Sequence, residues 1–185
     1  MSKYRSIIVF FLAFAAMSFA PQQAAAPGDK VRWMRWEEAV SHLEQQDKKV
    51  LLHIYTDWCT WCKRMDTITF NAAPIASYIN DQFYPVRLNA ERKASIEYKD
   101  NTYEFVENGK RGYHQFAAEL LRGRMSFPSV VFMDEQGEVI QSIVGYKSPE
   151  EFERILTYFA EDYYKETPWS AFKRDYAPKL IKKED

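Results

Sequence analysis

Apolar positions along the chain change period several times, and the changes divide it into elements. Over residues 36–46 Trp36, Ala39, Val40 and Leu43 recur at helical spacing and share one face. After Lys48 and Lys49 comes the unbroken run Val50, Leu51, Leu52, His53, Ile54, Tyr55, whose branched and aromatic side chains predict a buried strand. The stretch leading through Cys62 into Lys63–Asp66 is helix-compatible and is limited by Pro74; residues 75–83 add further helical turns, and 83–88 predict a second strand. Residues 91–112 are polar, with turn signals at Asp100-Asn101 and Asn108-Gly109, and 96–98 with 103–106 predict a hairpin across the first of them. A short helix over 113–121 carries Phe116, Leu120 and Leu121 on its apolar side. Phe127-Pro128 interrupts, 129–133 is a strand, Asp134-Glu135-Gln136-Gly137 a hairpin turn, and 139–144 the returning strand. Ser148, Pro149 and Glu151 have the spacing of an N-cap, a first helical residue and a capping-box partner, opening a helix to about 165 with Phe152, Ile155, Leu156 and Phe159 on one face. Trp169, Phe172 and Tyr176 give the tail a short docked helix.

The order is helix, strand, helix, strand, helix, strand, strand, helix. Strands alternating with helices should be parallel, and the last two should form an antiparallel hairpin. The expected class is α/β, with a central mixed sheet flanked by helices.

Length and charge narrow the function classes. A chain of 185 residues fits one domain with additions. Its 46% hydrophobic content is too high for a disordered chain. A net charge of −1 offers no basic excess for nucleic acid, and no glycine-rich phosphate loop is present. At the N-terminus, Lys3 and Arg5 precede an uncharged apolar run over 7–20, about 14 residues against the roughly 20 of a membrane span. Small residues follow at Ser18, Ala20 and Ala24–Ala26, which predicts a cleaved signal peptide; an uncleaved N-terminal anchor is the alternative. The expected organisation is a signal peptide and linker over 1–26, a folded domain over 27–165 with an insertion at about 91–112, and a tail over 166–185. The folded part is then periplasmic or secreted.

Export changes the meaning of the two cysteines, Cys59 and Cys62. A loop this short gives little chain-entropy stabilisation, so a redox or metal role explains the pair better than a structural staple. Between a buried strand and a helix, the first thiol lies at the helix N-terminus, where unpaired N–H groups favour a thiolate. Cys59 is therefore the candidate nucleophile and Cys62 the shielded resolving thiol. Structural zinc usually wants four ligands, and His42, His53 and His114 are dispersed, so no metal and no cofactor is expected. Cys59, Cys62 and His53 with a soft ion such as Cu(I) remain the metal alternative.

The strand over 50–55, Asp57-Trp58-Cys59-Thr60-Trp61-Cys62-Lys63, Phe127-Pro128-Ser129 before a strand, and Gly137 and Gly145 flanking the hairpin together resemble the thioredoxin-like family. The resemblance covers roughly 36–159, with 91–112 as an extra segment. Trp-Cys-x-x-Cys-Lys is similar to exported members and to the thioredoxin-like domain of transmembrane thiol transporters. It implies a thioredoxin fold with an insertion before the cis-proline strand, and a redox disulfide at Cys59–Cys62. Pro128 matches the cis-proline, the backbone of Phe127 would pair with an extended substrate segment, and Trp58 matches the tryptophan shielding the active-site surface. The family's buried acidic residue, six positions before the first cysteine, is here His53, which could take over proton transfer or be a packed strand residue. Thr60-Trp61 replaces thioredoxin's Gly-Pro and carries no charge to stabilise a thiolate strongly.

The expected function is an exported thiol–disulfide oxidoreductase working mainly as a reductase. Its partners are substrate proteins with disulfides and a membrane thiol-electron donor, and the expected state is a monomer. The alternatives are a disulfide oxidase or isomerase, or a non-catalytic protein- or copper-binding module. Tyr98, Tyr103, Phe105 and Tyr113 of the insertion either pack or face substrate.

Overall fold

The computed structural model describes residues 30–43 and 48–181. The predicted leader and linker over 1–26, and residues 44–46 of the first predicted helix, lie outside the described residues.

Helix α1 (Trp36–Leu43) leads to strand β1 (Lys49–Tyr55). Helix α2 (Thr60–Arg64) continues through a π-helical turn (Met65–Thr69), and α3 (Ala73–Gln82) precedes β2 (Phe83–Asn89). Pro74 does not merely limit the preceding helix. It sits in the first turn of α3, where its missing N–H would have no partner anyway. β1 and β2 run parallel, and β1 also pairs antiparallel with β7 (Ser129–Met133), which pairs with β8 (Val139–Val144). The sheet order β2-β1-β7-β8 places β1 centrally and is the mixed sheet expected.

Because β1 is covered on both faces, its alternation sorts side chains into two cores. Val50, Leu52 and Ile54 face Trp36, Phe116 and Val131. Leu51 faces Met65, Ile79, Phe132 and Phe152, under α5 (Pro149–Ala160). Each such side chain contributes about 1.5–3 kcal/mol by leaving water.

The insertion differs from the single predicted hairpin. β3 (Ile96–Tyr98) pairs with β4 (Asn101–Tyr103), and β5 (Phe105–Asn108) pairs with β6 (Arg111–His114). Both turn signals are used, and Glu104 separates the two hairpins. The first packs on the core: the Tyr98 ring meets Trp36 edge-on at 4.8 Å, and Tyr103 lies 5.1 Å from Phe116. The hydroxyl of Tyr98 donates to the Gly137 carbonyl, and a Cβ on Gly137 would meet that hydroxyl at 2.1 Å.

The following helix, α4 (Gln115–Leu120), is shorter than the predicted 113–121, since Tyr113 and His114 close the hairpin. His114 is its N-cap, its Nδ1 accepting from the Phe116 N–H while Nε2 lies 3.1 Å from the Ala94 carbonyl. Ser148 caps α5 by accepting from the Glu151 N–H, and its hydroxyl donates to the Glu150 carboxylate. α5 stops at Ala160 instead of about 165. Asp162 adopts φ 60°, held by Lys49 at 3.0 Å and Lys165 at 3.1 Å. Short α6 (Tyr163–Glu166) and α7 (Trp169–Asp175) follow, and Phe172 of α7 is buried against α5. No described helix is long and apolar enough to cross a membrane.

Candidate active site

β1 delivers the chain to the top of the sheet, and the turn Thr56–Trp58 feeds the first residue of α2's cap. The Cys59 N–H donates to the Thr56 carbonyl at 3.2 Å. Cys59 is the N-cap of α2, and the Cys62 backbone N–H points at its sulfur, 3.0 Å away. An N–H directed at Sγ at a helix start favours the thiolate over the thiol once the pair is reduced. A disulfide joins Cys59 and Cys62. Cys59 keeps 6% of its surface and Cys62 1%. The order of exposure is the one expected of nucleophile and resolving thiol, but Cys59 is far more covered than an exposed nucleophile would be. The coverage accompanies two aromatic side chains that stand in solvent on either side. Trp58 is 48% exposed and Trp61 57%.

These tryptophans are held differently. Trp58 donates from Nε1 to Glu91 at 3.0 Å, carries the Arg111 guanidinium 4.2 Å above its ring, and meets the edge of Phe127 at 6.0 Å. Trp61 lies against Tyr146 at 5.5 Å, with Arg64 over both rings. Cation–π contacts of this kind contribute about 0.5–1 kcal/mol at exposed sites. Trp61 is therefore part of the surface around the disulfide rather than of the core. Asp57 is exposed and accepts from Asn89 at 3.0 Å.

The Phe127–Pro128 peptide is cis. Pro128 is buried and Phe127 half-buried, and the T-shaped contact of Phe127 with Trp58 brings this loop beside the CxxC turn.

His53 is fully buried beneath the π-helical turn, its ring 4.8 Å from Phe70 and 5.8 Å from Trp33. Burial, with the Arg87 charge adding to it, lowers its pKa to about 3. Neither ring nitrogen has a hydrogen-bond partner, and Nδ1 lies 3.7 Å from Asp66 Oδ1, which is also unpartnered. Asp66 Oδ2 accepts from Arg87 at 2.5 Å, yet burial outweighs that cation and raises the Asp66 pKa. Arg87 stands beside His53 in the parallel register of β1 and β2.

Sequence reasoning singled out His53 but missed Asp66 and Arg87. A signal was there for Asp66: it follows Cys62 by four positions on one helical stretch, a spacing that keeps side chains on one face. Arg87 needed the strand register, which no local pattern supplies. Glu91 and Arg111 were also missed, because the insertion could not be folded onto the site from sequence, and Thr56 because the burial of its hydroxyl without a partner is a tertiary property. Among the described residues, no three of His, Cys, Asp and Glu are grouped so as to hold a metal ion, so His53 forms no such set with the cysteines.

The sequence matches the family model of the thioredoxin-like domain over residues 36–160. No curated protein matches it significantly. Among solved structures, a thioredoxin-fold protein from Helicobacter pylori aligns at 19% identity and a TM-score of 0.52, covering 75% of this chain and 91% of that one. A thioredoxin from Thermus thermophilus aligns at 17% identity and a TM-score of 0.50, covering 69% and 85%. A chain described as the DsbH oxidoreductase aligns at 20% identity and a TM-score of 0.45, covering 70% and 87%.

Proposed function

The chain belongs to the thioredoxin-like family, and we propose that it is an exported enzyme that reduces disulfides in substrate proteins. Family and CxxC disulfide make it a thiol–disulfide oxidoreductase. The observation that carries the reductive reading is the setting of Cys59. Its sulfur faces one backbone N–H, from Cys62, and the intervening Thr60-Trp61 adds no charge. Strong oxidants in this chemistry owe their potential to a reduced form that is heavily stabilised. A neutral dipeptide argues for a lower potential and hence for donating electrons.

In the proposed cycle the Cys59 thiolate attacks a substrate disulfide sulfur. A mixed disulfide forms, and one substrate sulfur leaves as a thiolate. Cys62, deprotonated, then attacks Cys59 Sγ, restoring the Cys59–Cys62 disulfide and releasing the second substrate thiolate. Two electrons pass from protein to substrate. Trp58 and the Phe127–Pro128 loop hold the substrate segment against the pair.

Proton removal from Cys62 is assigned to the His53 position in a modified form. An imidazole with a pKa of about 3 cannot store a proton taken from a thiol of about 8.5. Asp66, whose unpartnered Oδ1 lies 3.7 Å from that ring and whose carboxyl pKa is raised by burial, is the neighbouring candidate for the base. The apolar run over 7–20 supports export. An exported pair needs electrons from outside its compartment, which a membrane thiol carrier would supply.

The test is a Cys62→Ser variant expressed with its leader. It should accumulate mixed disulfides through Cys59 that dithiothreitol releases. A folded, exported variant that traps nothing would contradict the exchange mechanism.

A further inference from the structure

The second hairpin, β5–β6, meets the CxxC turn through Arg111 over Trp58 and leaves a recess of about 230 Å³ beside that tryptophan. Thr56, Trp58, Arg111, Tyr113, Met125 and Phe127 line it. Two of its lining residues adjoin the redox site in the chain, since Trp58 precedes Cys59 and Phe127 precedes Pro128. Trp58 is fixed as one wall by its bond to Glu91 and by the Arg111 guanidinium over its ring. One lining residue carries a polar group without a partner. Thr56 is buried, and its hydroxyl has no hydrogen-bond partner. A buried hydroxyl without a partner is destabilising until one arrives. Rotation about χ1 exchanges a threonine's hydroxyl and methyl in nearly the same volume, so the hydroxyl can turn to meet a group that enters.

We propose that this recess is a specificity pocket for the substrate residue flanking the cysteine under attack, and that it takes a large aromatic side chain with a neutral hydrogen-bonding tip, tyrosine. The inference rests on the thiol–disulfide reading above. Trp58, Tyr113, Met125 and Phe127 offer rings and a thioether to an aromatic body. Glu91 and Arg111 oppose each other in sign and are both engaged on Trp58, which leaves no net charge to attract an ionised tip. The Thr56 hydroxyl is the partner for the phenol. Gly112 belongs to the same wall: a Cβ there would meet Phe105 at 2.0 Å and the Val106 carbonyl at 2.4 Å, so the hairpin closes this tightly only with glycine.

The test uses the reduced protein and disulfide-linked dimers of Ala-Xaa-Cys-Xaa-Ala, with Tyr, Phe or Ala at both flanks. Each turnover converts one peptide disulfide to two thiols as the Cys59–Cys62 dithiol becomes a disulfide. Acid-quenched samples give the rate. The tyrosine peptide should react about tenfold faster than the alanine peptide and about threefold faster than the phenylalanine peptide. Thr56→Val should erase the tyrosine-over-phenylalanine margin, and Tyr113→Ala should shrink the aromatic-over-alanine margin, each read as a ratio within one variant whose melting curve shows it folded. Wild-type rates within twofold across the peptides, or a tyrosine preference that survives both variants, would overturn the pocket while leaving the chemistry standing. If no peptide is reduced, the thiol–disulfide reading fails and the pocket fails with it.

Discussion

Because the His53 imidazole is buried with no hydrogen-bond partner, the folded protein refuses a proton that the unfolded chain accepts. Its pKa falls from 6.5 to about 3, so its contribution to stability is fully present above about pH 6.5 and is lost as pH drops toward 3. The slope in that window is at most about 1.4 kcal/mol per pH unit for one group. His114 is also shifted downward by burial and acts with the same sign. Denaturant melts between pH 7 and 4 should show falling stability, and His53→Leu should flatten the fall. At pH 7 that variant should be as stable as the parent or about 1 kcal/mol more so, since an unpaired buried polar group is removed. If His53 and Asp66 carry the proton from Cys62, the same variant slows release of trapped substrate near neutral pH without slowing the first attack. Single-turnover kinetics separate the two steps. Equal effects on both would reduce His53 to a packing residue. The sequence already marked this position as a departure from the family's acid; that Asp66 comes to lie 3.7 Å from it depends on the packing of the helical stretch over β1.

At the level of elements, the tail is pinned by one side chain. Glu153 of α5 is fully buried, and its carboxylate accepts from the Leu180 and Ile181 N–H groups at 2.9 Å each, from Lys179 N–H, and from the Tyr176 hydroxyl at 3.2 Å. Hydrogen bonds to a charged group contribute about 1.5–3 kcal/mol apiece at most, so Glu153→Ala should cost roughly 2–5 kcal/mol. Hydrogen exchange should show residues 176–181 losing protection first. At the other end of the same helix, Ser148→Ala should cost about 1 kcal/mol by removing the acceptor for the Glu151 N–H. The α5 apolar face was legible, because Phe152, Ile155, Leu156 and Phe159 recur at helical spacing. Glu153 on that stretch reads as a solvent residue until the tail folds back over it. The insertion shows the same limit: both of its turns were visible, yet the split at Glu104 depends on one hairpin finding Trp36 and the other finding Trp58.

At the scale of the molecule, β1 is the central strand and is buried on both of its faces, and the redox turn is mounted directly on its end. The cis-proline loop and β5–β6 converge on that turn from other parts of the chain, so every group proposed to meet substrate is carried by a packed element. This convergence was readable in part. The CxxC, the strand before it and Phe127-Pro128 are local motifs. The recess walls come from segments about 30 to 70 residues beyond the turn, which only the fold brings together. The central claim is that this assembly donates electrons, and the reduction potential of the Cys59–Cys62 pair tests it most directly. Equilibration in a glutathione redox buffer followed by thiol trapping should give a value near thioredoxin's, about −270 mV. A value above about −180 mV would contradict the account and make the protein a disulfide donor or isomerase.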